Sequence, residues 1–577
     1  MNATTADITI EGQSLIDDYL AERDQLTAAE KFSQWHDADA EPAQAKYYRD
    51  LMPLTHPGEG EQYAFEVDMD ACSGCKACVT ACHNLNGLDE SESWRDVGQL
   101  IGGALGEMMA EADGVAPSTE PATEHGPAVQ HVTAACHHCV EPACLDGCPV
   151  KAYEKDPVTG IVKHLDDQCI GCQYCILKCP YDVPKYNANK GIVRKCDMCS
   201  DRLTEGEAPA CAQACPTNAI AIRIVDQQQE RQRAESNEFL SGAPQPDYTV
   251  PTTHYKTDRD LSHMRPGDYY SVAPEHAHTP LVWMLVLTQL AVGGFLVGWI
   301  LEWITPTALA SAIRPIQTML AVGTGLLALG ASTLHLGRPM YAFRAVIGLG
   351  SSWLSREIVA FGVFAKAAVA YAAVLWLMPD VLGGWPRIIL PGAVLLLGAF
   401  GIFCSIMIYH DTRREFWHVT RSGPRFGLTM LVLGIAVTLL GGLITTGVNP
   451  HIATPQFMHG GGRTLAAALA GLLGFKLGLE AIPFRHLWHQ QLTPMRRTAV
   501  LMTQQLHQVT LGRFAAGLGA IAISTLLAVI PTPDEAATFV FIAVSLVFLL
   551  ALVGEWLERY LFFTAVVRPK MPGGLAV

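Results

Sequence analysis

Sixteen of the 17 cysteines in this 577-residue chain fall between Cys72 and Cys215, nearly all of them two or three residues from the next. They form four groups: Cys72, Cys75, Cys78 and Cys82; Cys136, Cys139, Cys144 and Cys148; Cys169, Cys172, Cys175 and Cys179; and Cys196, Cys199, Cys211 and Cys215. Thiols this close in sequence converge on a metal more readily than on one another, which counts against a disulfide framework. The first and third groups have the regular spacing C-x2-C-x2-C-x3-C. The second has a longer middle gap and the fourth a much longer one. Pro149, Pro180 and Pro216 follow the last cysteine of groups two, three and four, and His83 takes that place in group one.

Regular spacing of this kind is the bacterial ferredoxin run, in which three cysteines hold one cubane and the fourth reaches a second cluster. Thiolate is the required ligand because it is soft and anionic. Sixteen ligands taken four at a time predict four 4Fe–4S clusters. Zinc is the rival metal, but it has no use for a third regularly spaced cysteine or for the cysteine–proline ending. Nested ferredoxin modules pair their outer groups and their inner groups. That predicts Cys72, Cys75, Cys78 and Cys215 on one cluster, and Cys82, Cys196, Cys199 and Cys211 on its neighbour. A third set is Cys136, Cys139, Cys144 and Cys179, and the fourth is Cys148, Cys169, Cys172 and Cys175. C-x-x-C-H is absent, so no c-type haem is expected.

Charge divides the chain in two. Through His278 there are 21 Lys+Arg against 45 Asp+Glu, and from Thr279 on there are 19 against 10. The acidic half argues against nucleic-acid binding. The second half holds eight apolar stretches near 280–301, 316–336, 358–379, 388–408, 427–447, 464–483, 512–531 and 537–557, each close to the ~20 residues that cross a bilayer as a helix. The fold class expected is α+β, with ferredoxin-like double 4Fe–4S domains, followed by an all-α eight-helix transmembrane bundle. The divisions are an N-terminal extension over 1–64 with a helical stretch around Ser14–Lys31, a cluster domain over 65–225, a proline-containing linker over 226–278, and a membrane anchor over 279–577.

Eight crossings put both ends of the anchor on one side. Fourteen Lys/Arg are assigned to that side, among them Arg338, Arg344, Arg413, Arg425, Arg513 and Arg559, and three, Arg314, Arg387 and Arg463, to the other. The positive-inside rule then places the cysteine domain in the cytoplasm, at a bacterial inner membrane. Residues 1–60 show neither an apolar signal core nor a twin-arginine pair, so export would depend on a partner.

ACSGCKAC at 71–78, CIGCQYC at 169–175 and RKCDMCSDR at 194–202 resemble the four-cluster subunit of dimethyl sulfoxide reductase-type molybdoenzymes. LHLGRP at 334–339 and SWLSREI at 352–358 resemble the membrane anchor of the same complexes. The resemblance implies a fusion of two subunits that are usually separate. It also implies a partner, a molybdopterin catalytic subunit on another chain, and an electron donor drawn from the membrane quinone pool, with menaquinone the expected species. Relatives of this type are exported, so a periplasmic head stays open beside the cytoplasmic one that the arginines favour. A cytoplasmic terminal reductase such as a nitrate reductase fits the latter. Reverse flow, from a formate dehydrogenase to quinone, is the alternative function.

His335 at the end of the second span and Glu357 at the start of the third lie at one membrane boundary on the cluster side. Quinol oxidation releases two protons with two electrons. A histidine bonded to the quinol oxygen and a nearby carboxylate suit that task. The bland alternative is a helix cap and an ion pair with Arg356 or Arg338. Lys366 lies inside the third span. Lys476 lies inside the sixth, one turn from Glu480; for these intramembrane charges a structural ion pair that holds two helices is the favoured reading, and a proton path or quinone-pocket wall the other. Cys404 reads as a buried small hydrophobe. With His335 and His410 at span ends and no histidine mid-span, no haem b is expected.

Overall fold

The computed structural model describes residues 49–102 and 128–574 apart from 490, 532, 534 and 535, with a few positions between 27 and 34. The extension over 1–64 and the helix expected at Ser14–Lys31 fall largely outside the described residues.

Among the described residues the cysteine-bearing head contains ten short strands: β1 Glu61–Asp68, β2 Asp96–Gly102, β3 Ala128–Ala134, β4 Tyr153–Lys155, β5 Val162–His164, β6 Lys185–Asn187, β7 Ile192–Arg194, β8 Ile220–Asp226, β9 His254–Lys256 and β10 Arg265–Pro266. Their pairing explains how distant cysteine groups meet. Strand β1 leads into Cys72 and β8 leaves Cys215. Because β1 and β8 pair antiparallel, with Val67 opposite Ile220, the first and last groups share one end of a sheet. The β4–β5 hairpin returns the chain from Cys148 to Cys169, and the β6–β7 hairpin returns it from Cys179 to Cys196.

The segment expected as a linker, 226–278, is instead built into the head. It carries helix Gln227–Glu235, and it adds β9 in parallel to β1 and β10 antiparallel to β2. One of its prolines suits an edge strand, where a missing N–H leaves no ladder bond unmade. Pro266 itself lies in edge strand β10.

The long helices described in the membrane half are α1 Thr279–Ile304, α2 Thr307–Thr333, α3 Trp353–Leu377, α4 Pro386–His410, α5 Val419–Val448, α6 Arg463–Ala481, α7 His507–Val529 and α8 Ala537–Thr564. Among the described residues eight helices are long and apolar enough to cross a membrane. Helices α1 and α5 form the centre, each with 72% of its most apolar window buried. They cross at Gly293 and Gly434, where a Cβ on Gly434 would lie 2.4 Å from the Gly293 carbonyl oxygen. Without a hydrophobic driving force between helices in lipid, such small residues permit the close packing that holds them.

Several expectations shift in detail. Helix α2 runs nine residues earlier than expected and stops at Thr333, so His335 lies in the turn beyond it. Helix α3 begins at Trp353 because the Ser352 side chain accepts from the Ser355 N–H as its N-cap, which makes Glu357 an intrahelical residue. Arg425, Arg513 and Arg559, counted as loop charges, are buried inside α5, α7 and α8. Lys366 is exposed on the outer face of α3 rather than paired with a neighbouring helix.

Candidate electron-transfer site

The local sequence dictates how each cysteine loop turns. Gly74 at φ 72° and Lys76 at φ 62° flank Cys75, just as Gly171 at φ 69° and Gln173 at φ 59° flank Cys172. Left-handed residues alternating with ordinary ones turn successive N–H groups inward, the arrangement that cradles anionic centres. The Cys169, Cys196, Cys148 and Cys215 sulfurs accept from the N–H groups of Gly171, Met198, Ala152 and Ala219 at 3.2–3.4 Å.

Each predicted set of four comes together. Cys72, Cys75, Cys78 and Cys215 line one cavity together. Cys136, Cys139, Cys144 and Cys179 line another. Cys82 stands within electrostatic reach of Cys199 and Cys211, where helix Ala77–Leu85 packs on helix Ala210–Gln213. Cys148 and Cys172 stand in the same relation to each other and to Cys169, as does Cys175. Four thiols around a cavity surround a body rather than a point. Among the described residues no group of His, Cys, Asp and Glu converges as on a single ion. Burial pushes the Cys82 and Cys179 thiols up to about 12, so a bound cation is needed to hold them as thiolates. The donor set and the cavities therefore fit a cubane iron–sulfur cluster.

The sets follow one another through the head. Cys196 of the second faces Cys136 of the third, and Tyr153 lies between Cys144 of the third and Cys148 and Cys175 of the fourth. The first set lies at the far end, where Cys75 is exposed. The fourth rests on the membrane half. There the turn after α2 meets the cysteine loops so closely that a Cβ on Gly171 would lie 2.9 Å from Gly337 Cα. The Arg338 N–H donates to the Ile170 carbonyl at 3.0 Å and the Gly348 N–H to the Pro149 carbonyl at 2.8 Å. The Ser352 hydroxyl donates to the Gly147 carbonyl at 2.7 Å, and Lys178 pairs with Asp411 at 2.6 Å. Tyr174 and Tyr248 donate to the Ile408 and Asp411 carbonyls, at 3.2 and 2.7 Å.

His335 lies in this seam. Its Nε2–H donates to the Cys172 carbonyl at 3.2 Å, and its ring meets His278 edge-on at 5.0 Å. Burial, reinforced by the charge of His276, holds the imidazole below its ordinary range even though the carbonyl bond favours the protonated form. A neutral ring that donates through Nε2 keeps Nδ1 as an acceptor. Glu357 is 4% exposed and accepts from the Ser405 hydroxyl of α4. Among the described residues no hydrogen bond or ion pair joins Glu357 to His335. His335 meets the Cys172 loop directly, and Glu357 lies within electrostatic reach of Tyr174 on that loop.

Sequence reasoning missed a larger intramembrane cluster. Lys476 does lie 3.6 Å from Glu480 as expected, but it binds Glu555 more closely. Arg513 joins the two carboxylates, at 2.7 Å to Glu480 and 2.9 Å to Glu555. Arg559 stands 3.4 Å from Glu558. No sequence spacing joins Lys476, Arg513 and Glu555, because they come from three different helices.

Comparison with known proteins follows the same division of the chain. Residues 128–225 match a family model described as a 4Fe-4S dicluster domain. Residues 275–565, just over half of the chain, match the DMSO reductase anchor subunit (DmsC) family. The B subunit of the anaerobic dimethyl sulfoxide reductase of Haemophilus influenzae is 32% identical over 199 residues, 34% of this chain and 91% of that protein. Its Escherichia coli K12 counterpart is 36% identical over 166 residues, 29% of this chain and 75% of that protein. The iron-sulfur subunit of the nitrate-inducible formate dehydrogenase of Escherichia coli K12 is 29% identical over 265 residues, 42% of this chain and 85% of that protein. Each of these relatives is similar to less than half of the chain, whereas the structure joins head and anchor in one polypeptide. This protein belongs to the DMSO reductase anchor subunit (DmsC) family, and it carries an iron–sulfur electron-transfer subunit fused ahead of that anchor.

Proposed function

We propose that the chain oxidises quinol at the seam between its two halves and delivers the electrons, through four 4Fe–4S clusters, to a molybdopterin catalytic subunit on a separate chain. The observation that carries this reading is the bond from His335 to the Cys172 carbonyl, which ties a membrane-boundary imidazole to the backbone of a cysteine-cluster loop. When bound, the clusters supply one-electron carriers. The sixteen cysteines between Cys72 and Cys215 are their ligands, in the four sets described. The head shields the inner sets from water and leaves the Cys75 end open to the partner.

At the membrane boundary, His335 Nδ1 accepts a hydrogen bond from one quinol hydroxyl and takes its proton as electrons leave. The Glu357 carboxylate, oriented by Ser405, serves as the second acceptor. The seam lets the quinol headgroup approach the Cys172 loop without entering the aqueous head. Direction follows from the relative potentials of donor and acceptor. The likeness to a formate dehydrogenase subunit therefore supports a second reading, in which the same path runs from a dehydrogenase to quinone.

The test is the whole chain purified anaerobically in detergent. Four clusters correspond to about sixteen iron and sixteen acid-labile sulfide per chain. A menaquinol analogue should then bleach the cluster absorption with second-order kinetics. Zinc without sulfide removes the cluster assignment. Clusters that dithionite reduces but quinol does not remove the quinol assignment.

The head belongs on the cytoplasmic side in this reading. With Arg425, Arg513 and Arg559 buried in helices, the remaining arginine excess still favours the loops that contact the head. Protease added to right-side-out vesicles should leave residues 49–270 intact, and cleavage there places the head outside.

A further inference from the structure

Lys195 belongs to one cysteine set by sequence and to the next by contact. It immediately precedes Cys196, which is grouped with Cys82, Cys199 and Cys211. Its ammonium nevertheless lies 3.6 Å from Cys136 Sγ and lines the cavity of the Cys136 set. The side chain is 3% exposed. Its other hydrogen bonds go to the carbonyls of Val162 and, at 2.8 Å, Cys196. Among the described residues it forms no ion pair with a carboxylate.

A buried ammonium without a carboxylate partner is expensive. Two backbone carbonyls solvate it but do not neutralise it. A methionine would fill the same volume without that cost, so packing does not explain the residue. The charges that act on it are mainly sulfurs of two adjacent sets, Cys136 and Cys144 of one and Cys196 of the other, with the Asp197 carboxylate farther off than an ion pair. A positive charge in a low-dielectric interior favours whichever state of its neighbours is more negative, and the effect falls with distance. Cluster potentials respond to net charge and to hydrogen bonds at sulfur over a wide range.

We infer that Lys195 is a positioning residue of the relay, a fixed charge shared by the two central clusters that raises both of their potentials together. The inference rests on the four-cluster reading above. It involves no new chemistry: one electron arrives and one leaves, no bond forms or breaks, and no proton moves. By acting on both centres at once, the charge makes both easier to reduce without opening a large gap between them, so that the electron passes from one to the other.

The experiment is a potentiometric titration of the whole chain followed by electron paramagnetic resonance, in the unaltered protein and in Lys195→Met, Lys195→Gln and Lys195→Arg. Met and Gln should each make two of the four clusters at least tenfold harder to reduce at a fixed potential, a shift of about 59 mV for one electron. The other two clusters should stay in place, and Arg should restore most of the shift. Gln keeps a hydrogen-bond donor, so it reads the charge even where Met loses iron. Full iron and sulfide with unmoved potentials in the Gln variant overturns the role of Lys195 and leaves the cluster reading standing. Absence of acid-labile sulfide in the unaltered chain overturns both.

Discussion

Replacing His335 with alanine should slow quinol-driven reduction of the clusters by ~10²–10⁴-fold, the usual contribution of a positioned acid–base group. Dithionite should still reduce every cluster in the variant, because His335 touches the cysteine loop through a carbonyl rather than a sulfur. His335→Gln sharpens the test. Its amide reproduces a donor and an acceptor but cannot take up a proton, so quinol should still bind while turnover falls nearly as far as in the alanine variant. Stopped-flow reduction by a menaquinol analogue measures both. A glutamine variant that reduces its clusters at the unaltered rate removes His335 from proton transfer and leaves it a structural link.

The second large effect concerns stability. Glu555 accepts from Lys476, from Thr429 at 2.6 Å and from Arg513 at 2.9 Å, all buried within the membrane half. Glu555→Leu leaves Lys476 and Arg513 to share Glu480 alone. Removing one partner of a buried ion cluster costs about 3–5 kcal/mol, whereas removing opposite charges together is often close to neutral. The single variant should therefore unfold in detergent at much lower temperature or denaturant concentration. Glu555→Leu combined with Lys476→Met should recover most of the loss. If the single variant melts with the unaltered protein, these charges do not hold α6, α7 and α8 together.

The iron–sulfur character of the cysteine region was legible because its chemistry is local. A regular x2 gap and a cysteine–proline ending need no tertiary information, and short hairpins decide which groups become neighbours. The eight crossings were legible for the same reason, since bilayer thickness writes itself into run length. The ion cluster was not. Lys476, Arg513 and Glu555 are separated by 37 and 42 positions along the chain, and an arginine near a span end looks the same whether it meets water or a buried carboxylate. The seam was equally hidden. Gly171 reads as a cluster-loop glycine and Gly337 as part of LHLGRP, and neither announces that the two backbones touch. The supposed linker was misread because strands of two or three residues carry no periodic signal.

Past α8 the chain turns back and attaches to the head. Arg568 pairs with Asp182 at 3.0 Å, the Gly573 N–H donates to Asp268 at 3.1 Å, and the Gln99 N–H donates to the Gly573 carbonyl at 3.1 Å. Residue 99 is thus sealed by a segment translated more than 470 positions later. During biosynthesis the cofactor-loading part of the molecule stays unlatched until every hydrophobic helix has emerged from the ribosome. Iron–sulfur assembly on the cysteine loops therefore has the whole of membrane integration in which to occur before the strap can close.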